Sequence, residues 1–164
     1  MTAAYALRFH HRWAAGLTYF WGLTLTTQAV VTPYLRSTFP DPVFLLYWAM
    51  HIGTVWAAVY LAWGRDIRPD WRSYRIAIAT TAAWAAAVFT LNWLIGSNYG
   101  YLNAKPRSAS ILDLLGPWPW YIAAEAAIVA AAWALFTWPW VAGDHRAKAA
   151  EASVTRTTPR ALPH

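Results

Sequence analysis

The feature that most constrains this chain is the spacing of its charges. Between Arg12 and Arg36 lie 23 residues without Asp, Glu, Lys or Arg, and between Asp41 and Arg65 lie 23 more. A run of 29 separates Arg75 from Lys105, and a run of 30 separates Asp113 from Asp144, broken only by Glu125. About 20 apolar residues in a helix cross the roughly 30 Å hydrocarbon core of a bilayer. Each window holds one span, which predicts helices over about 13–34, 43–64, 75–96 and 118–141. Backbone groups in lipid must pair within their own segment, and these Ala-, Leu- and Trp-rich runs do not alternate as barrel strands do. The expected fold class is all-α: a polytopic membrane bundle of four transmembrane helices within residues 1–142, followed by a disordered cytoplasmic tail over 143–164.

Composition points the same way. Charged residues make up 12% of the chain against about 25% in soluble domains, which argues against a water-soluble globule. Aromatic richness argues against disorder. Thirteen Trp suit a bilayer interface, where amphipathic rings settle. Trp118 and Trp120 open the fourth window and Trp138 and Trp140 close it, about 30 Å apart along a helix. That is the separation of two aromatic belts, although Trp-Pro-Trp also arises by chance in a Trp-rich chain.

The net charge of +6 suggests nucleic acid in a soluble protein, but here the basic residues flank apolar runs, so no nucleic-acid partner is expected. Ten Lys and Arg fall on the side holding the N-terminus, the 65–75 loop and the tail, and three (Arg36, Lys105, Arg107) on the other. Positive residues favour the cytoplasm, so both termini are expected there, in a bacterial inner membrane. The first twelve residues have no apolar core, so no signal peptide is expected. The absence of Cys removes disulfides, Cys-ligated zinc, iron–sulfur clusters and a Cys nucleophile from this chain.

Four strongly polar side chains sit inside the windows: Gln28, His51, Asn92 and Glu125. Counted from the predicted outer ends they lie roughly 4–8 residues deep, or about 6–12 Å. One per helix in the same half is what a shared site requires, and an ionisable group in a span usually faces the bundle interior. Gln and Asn also join helices by interhelical hydrogen bonds, and His51 can be a satisfied core histidine. His51 is the candidate base, since neutral imidazole accepts a proton near physiological pH. Glu125 is the candidate that orients it, as a carboxylate does in a triad. Among Thr24, Thr26, Thr27 and Thr32, Thr27 is nearest in depth for a nucleophile, but a span Thr more often bonds the preceding turn. Gln28, Asn92, Asn98, Tyr99 and Lys105 are the candidate substrate-binding residues, the last three on a long aromatic- and Asn-rich loop expected to fold back over the bundle. No metal or cofactor is expected. His10 and His11 diverge on a helix, His51 has no His or carboxylate at helical spacing, and there is no phosphate-binding Gly loop or Gly-x-Ser-x-Gly.

Several strings carry a family resemblance. Tyr19-Phe20-Trp21-Gly22-Leu23, Thr27-Gln28-Ala29-Val30-Val31-Thr32-Pro33 and His51 resemble the YwaF-like bacterial integral membrane proteins. So do Asn98-Tyr99 through Lys105-Pro106 and Leu115-Gly116-Pro117-Trp118-Pro119-Trp120-Tyr121. These are similar to the eukaryotic transmembrane protein 164 group, which is linked to acyl transfer on phospholipids through a Cys nucleophile and a His partner. The resemblance implies that His51 matches the family base. It also implies that family members begin with two further helices carrying the nucleophile, so this chain is expected to start at about the third family helix.

Three functions follow as expectations. The first is a lipid acyl-ester transferase or hydrolase, or a degenerate relative of one. The second is a non-catalytic membrane module binding membrane lipid or a partner membrane protein, or pairing with itself. The third is a small transporter using the polar cluster.

Overall fold

The computed structural model describes residues 2–31, 33, 35, 37–106 and 111–157. It is helical throughout, with no strand among the described residues. A short helix α1 (Thr2–Phe9) precedes α2 (Arg12–Trp21), which runs through a π-helical segment, Gly22–Thr26, into α3 (Thr27–Val31). Then come α4 (Pro42–Val59), which ends in a second π segment, Tyr60–Gly64, α5 (Trp71–Ile95) and α6 (Trp120–Thr157). Two 3-10 turns, Tyr99–Tyr101 and Ile111–Leu115, lie between α5 and α6.

Helix starts follow local chemistry. Asp41 caps α4 by accepting from the Val43 N–H at 2.7 Å, with Pro42 at the first helical position. Asp70 caps α5 through the Ser73 N–H at 2.7 Å. At the other end of α5, Gly96 takes the left-handed conformation (φ 65°) that closes a helix, and its N–H donates to the Asn92 carbonyl.

The structure corrects the predicted count of four spans. Among the described residues three helices are long and apolar enough to cross a membrane: Pro42–Gly64, Trp71–Ile95 and Trp120–Ser153. The first predicted span forms as a helix over Arg12–Val31, in abutting segments of 10, 5 and 5 residues, but it does not reach that apolarity. Thr18, Thr24, Thr26, Thr27 and Gln28 dilute it. Of these, Thr18 lies in the part that other helices enclose. Ala14 through Phe20 are all buried, and α4 and α5 both pack on this helix, so neighbouring helices surround its first two turns.

Close approach depends on two glycines. A Cβ at Gly16 would meet Ser73 Cβ on α5 at 2.8 Å, and one at Gly22 would meet Ala58 Cβ on α4 at 2.9 Å. Without a hydrophobic drive between helices in lipid, such contacts and interhelical hydrogen bonds supply the association. Trp133 on α6 is fully buried, packs on Phe20 at 5.1 Å and donates to Thr24 Oγ1 at 3.2 Å. Trp21 donates to Thr81 Oγ1 on α5 at 2.9 Å. The outer faces of the long helices carry apolar side chains, among them Leu46, Met50, Trp56, Trp93, Leu94, Trp120 and Leu135.

The chain ends are oriented by ion pairs. Arg12 meets Asp70 at 3.2 Å and Arg68 meets Asp144 at 3.4 Å, so the start of α2, the α4–α5 loop and the outer part of α6 share one end. The predicted aromatic girdle is exposed at Trp118, Trp120 and Trp138, whereas Trp140 turns inward and donates to the Tyr19 hydroxyl at 3.2 Å. The last helix continues past 143, where a tail is predicted, as far as Thr157. Thr32, Arg36, Arg107 and Arg160 lie outside the described residues.

Candidate functional site

His51 sits half-buried in the middle of α4. Its Nδ1 is 2.7 Å from the Tyr47 carbonyl oxygen, one helical turn back. A carbonyl only accepts, so Nδ1 carries the proton in the neutral ring and Nε2 presents a lone pair. The Tyr47 ring stacks on the imidazole at 4.1 Å, and the Tyr47 hydroxyl donates to the Ala29 carbonyl on α3 at 2.6 Å. The ring is thus held from its own helix and from the central helix together.

One turn earlier on the same helix, Trp48 presents an indole Nε1–H that is screened from solvent and has no partner among the described residues. Its ring packs edge-on against Tyr47 at 5.7 Å and at a tilt against Phe44 at 6.2 Å. Residues three apart share a helix face, so α4 carries a proton acceptor and an unpartnered donor on one face. The sequence reading did not single out Trp48. Its only signal is the three-residue spacing from His51, lost among thirteen Trp.

The remaining sequence candidates are placed differently. Glu125 lies half-buried on α6, which packs on α5, while the imidazole's hydrogen bond runs to Tyr47. No hydrogen bond or ion pair joins His51 and Glu125 among the described residues. Gln28 is exposed on α3. Asn92 is 2% exposed and uses its whole amide on the following loop. Its Nδ2 donates to the Tyr99 carbonyl (2.9 Å) and Asn103 Oδ1 (2.8 Å), and its Oδ1 accepts from Ser97 Oγ (2.7 Å) and the Tyr99 N–H (2.8 Å). Asn98 repeats the device, donating to the Ala104 carbonyl and accepting from the Asn103 and Ala104 N–H groups.

The loop then docks on the start of α6. Trp118 donates to the Leu102 carbonyl at 3.2 Å and the Tyr121 hydroxyl donates to the Tyr101 carbonyl. Lys105 pairs with Asp113 at 3.6 Å and stands over the Tyr121 ring at 5.7 Å. Asn92, Asn98, Tyr99 and Lys105 are thus brought together, as a structured cap joining α5 to α6. Of the candidate nucleophiles, Thr24 donates to the Phe20 carbonyl and Thr27 to the Gly22 carbonyl, both of the preceding turn, whereas no such bond is found for Thr26 among the described residues. No group of three metal-ligating side chains is found among the described residues.

The family model described as the TMEM164 family matches residues 1–137. The chain belongs to the TMEM164 family. The matched region takes in the central helix, α4, α5, the whole loop cap and most of α6, so both the His51 face and the Asn92 cap fall within the family's region. No curated protein and no solved structure matches. Family membership and the three apolar helices make this an integral membrane protein.

Proposed function

We propose that this TMEM164-family chain acts on lipid acyl esters, with His51 as a general base that works directly on an acceptor hydroxyl or water. The observation that carries the reading is the single face of α4 holding an imidazole with its proton pinned on Nδ1 and, one turn away, an unpartnered indole N–H. The step balances without a protein nucleophile. Nε2 takes the proton of the acceptor hydroxyl as its oxygen attacks the ester carbonyl. The Trp48 N–H donates to the oxygen that becomes negative. The tetrahedral species then expels the original alcohol, which receives the proton from Nε2. Direct transfer fits a chain with no Cys, in which Thr27, the candidate nearest His51 in depth, is already bonded to the Gly22 carbonyl.

A second reading, a non-catalytic module that binds lipid, is favoured by a different observation. Asn92 is fully occupied by the loop, and no hydrogen bond or ion pair joins Glu125 to His51 among the described residues, which favours a structural role for these two polar span residues. The two readings separate in one assay. The purified chain is reconstituted in vesicles with a radiolabelled phospholipid and a lysophospholipid acceptor. Labelled product that disappears in His51→Gln, with insertion unchanged, supports the acyl-ester reading. Turnover that is absent, or equal in the two proteins, rejects it and leaves the binding module. The ten-to-three bias of Lys and Arg supports placing the Arg12–Asp144 end on the cytoplasmic side of a bacterial plasma membrane.

A further inference from the structure

The end of the bundle opposite the loop cap carries two adjoining grooves. One, of about 300 Å³, is lined by Asp70, Trp71, Arg72, Val141, Asp144, His145 and Lys148. The other, of about 140 Å³, is lined by Arg12, Trp13, Asp70, Arg72, Ser73 and Ile76. Asp70 and Arg72 belong to both, so the two are continuous at the start of α5.

The charges in this groove are not balanced. Asp70 Oδ1 accepts from the Ser73 N–H and hydroxyl, each at 2.7 Å, and its Oδ2 accepts from Arg12. Asp144 accepts from Arg68 at 3.4 Å. Asp70 is thus matched by Arg12, whereas Asp144 shares Arg68 with Asp66. Arg72 and Lys148 line the groove and form no ion pair among the described residues, so both cations face one space, and with Arg12 and Arg68 they exceed the nearby carboxylates Asp66, Asp70 and Asp144 by one charge.

The walls give the site its depth. Trp71 begins a membrane-crossing helix and is 40% exposed, and Val141 belongs to the apolar stretch of another. The groove thus has a cationic mouth at the water boundary and an aromatic and aliphatic side leading to lipid. Soluble anions need only the first of these features. An amphiphile needs both.

We propose that this groove binds the phosphate ester of an anionic membrane lipid, with Arg72 and Lys148 on the phosphate and Trp71 and Val141 along the glycerol and proximal acyl chain. This site is separate from the His51 face and does not depend on any chemistry there. The shared chemistry is a phosphate ester, whose source is the bilayer or a soluble compound.

The full chain in neutral detergent is titrated with dioleoyl phosphatidylglycerol, and bound lipid is counted by native mass spectrometry. One tightly retained lipid per chain is expected. Arg72→Gln/Lys148→Gln should weaken it about tenfold, as expected for losing two charge-assisted contacts. Arg65→Gln/Arg75→Gln, which removes two exposed charges outside the groove lining, should leave it unchanged. Lys148→Gln alone keeps the test open if the double variant is misfolded, with a smaller loss in the same direction. Equal weakening by both pairs, or by neither, overturns the proposal, because diffuse interfacial charge then accounts for binding. Glycerol 3-phosphate or inorganic phosphate is added as a competitor. Failure to displace the lipid assigns the site to the bilayer, whereas displacement at equal concentration keeps the phosphate site and gives it a soluble ligand.

Discussion

Replacing Asn92 by Ala isolates what the amide does. The wild-type side chain makes four hydrogen bonds, all to the loop spanning Ser97 to Asn103. A net hydrogen bond is worth about 1 kcal/mol, and a buried group left unpaired costs about 1–3 kcal/mol. Tyr99 is 61% exposed, so its backbone regains water when the loop opens, which lowers the total. The expected loss is about 2–4 kcal/mol, concentrated in the loop rather than spread over the bundle. Amide hydrogen exchange on the detergent-solubilised protein reads this directly. Residues 97–104 should lose protection in Asn92→Ala, while α4 and the central helix keep theirs. Asn92→Asp retains the two acceptor contacts from Ser97 and Tyr99 and loses both donors, so its effect should fall between the two. Unchanged loop protection in Asn92→Ala refutes the reasoning, and reduced lipid turnover with a fully protected loop would make Asn92 a substrate contact instead.

Gly22→Leu places a side chain where Ala58 Cβ is already 2.9 Å from the first added carbon and the Thr54 carbonyl oxygen 3.2 Å. Overpacking of this kind costs about 1–3 kcal/mol, and thermal unfolding in detergent should show it, whereas Gly53→Leu, with open space around the new Cβ, should be nearly neutral. Asp70 is subject to opposing influences: burial raises its pKa, and the bonds from Ser73 and Arg12 more than offset this, holding the carboxyl below its ordinary value. Its stabilising contribution is therefore present above the unfolded carboxylate range and is lost as pH falls through the folded value, so acid titration should loosen the start of α5 before the Asn92 cap. Asp70→Ala should cost about 1 kcal/mol at neutral pH and flatten that acid response. His51→Gln should cost about 1 kcal/mol of thermal stability, because it removes the stack on the Tyr47 ring together with the hydrogen bond to the Tyr47 carbonyl.

Much of the fold could be read from charge spacing, because lipid excludes charge and helices must bridge a fixed thickness. The predicted span at 43–64 is nearly the observed Pro42–Gly64. The start of the next was placed at Arg75, but Asp70 caps the helix and its first turn carries Arg72, since charges are tolerated where a helix stands in the interface. The last helix outruns its apolar window because the Ala-, Lys- and Glu-containing stretch beyond Gly143 favours helix without needing a bilayer. The count of four failed at Arg12–Val31 for a different reason. Freedom from charge is a weaker property than apolarity, and the threonines and Gln28 of this segment lower its mean hydropathy without adding a charge.

The site was less readable. His51 stood out because an ionisable ring in an apolar run is unusual. Depth along each window said nothing of direction, so Asn92 looked like a member of the same cluster although its partners lie five to eleven residues ahead in its own loop. The pairing of Glu125 with His51 required two helices to meet, and a list of depths does not say which helices do. Trp48 is hidden for the opposite reason, since one more Trp in this chain attracts no notice until its N–H is seen to lack a partner among the described residues.

Intact-mass spectrometry of the chain during turnover tests the central claim most directly. The 18.4 kDa protein is incubated in vesicles with an acyl-labelled phospholipid and a lysophospholipid, and sampled through the first turnovers. Direct base catalysis by His51 predicts labelled product accumulating while the protein mass stays unmodified. An acyl adduct on the chain would contradict direct transfer, and the absence of product would contradict the acyl-ester function itself.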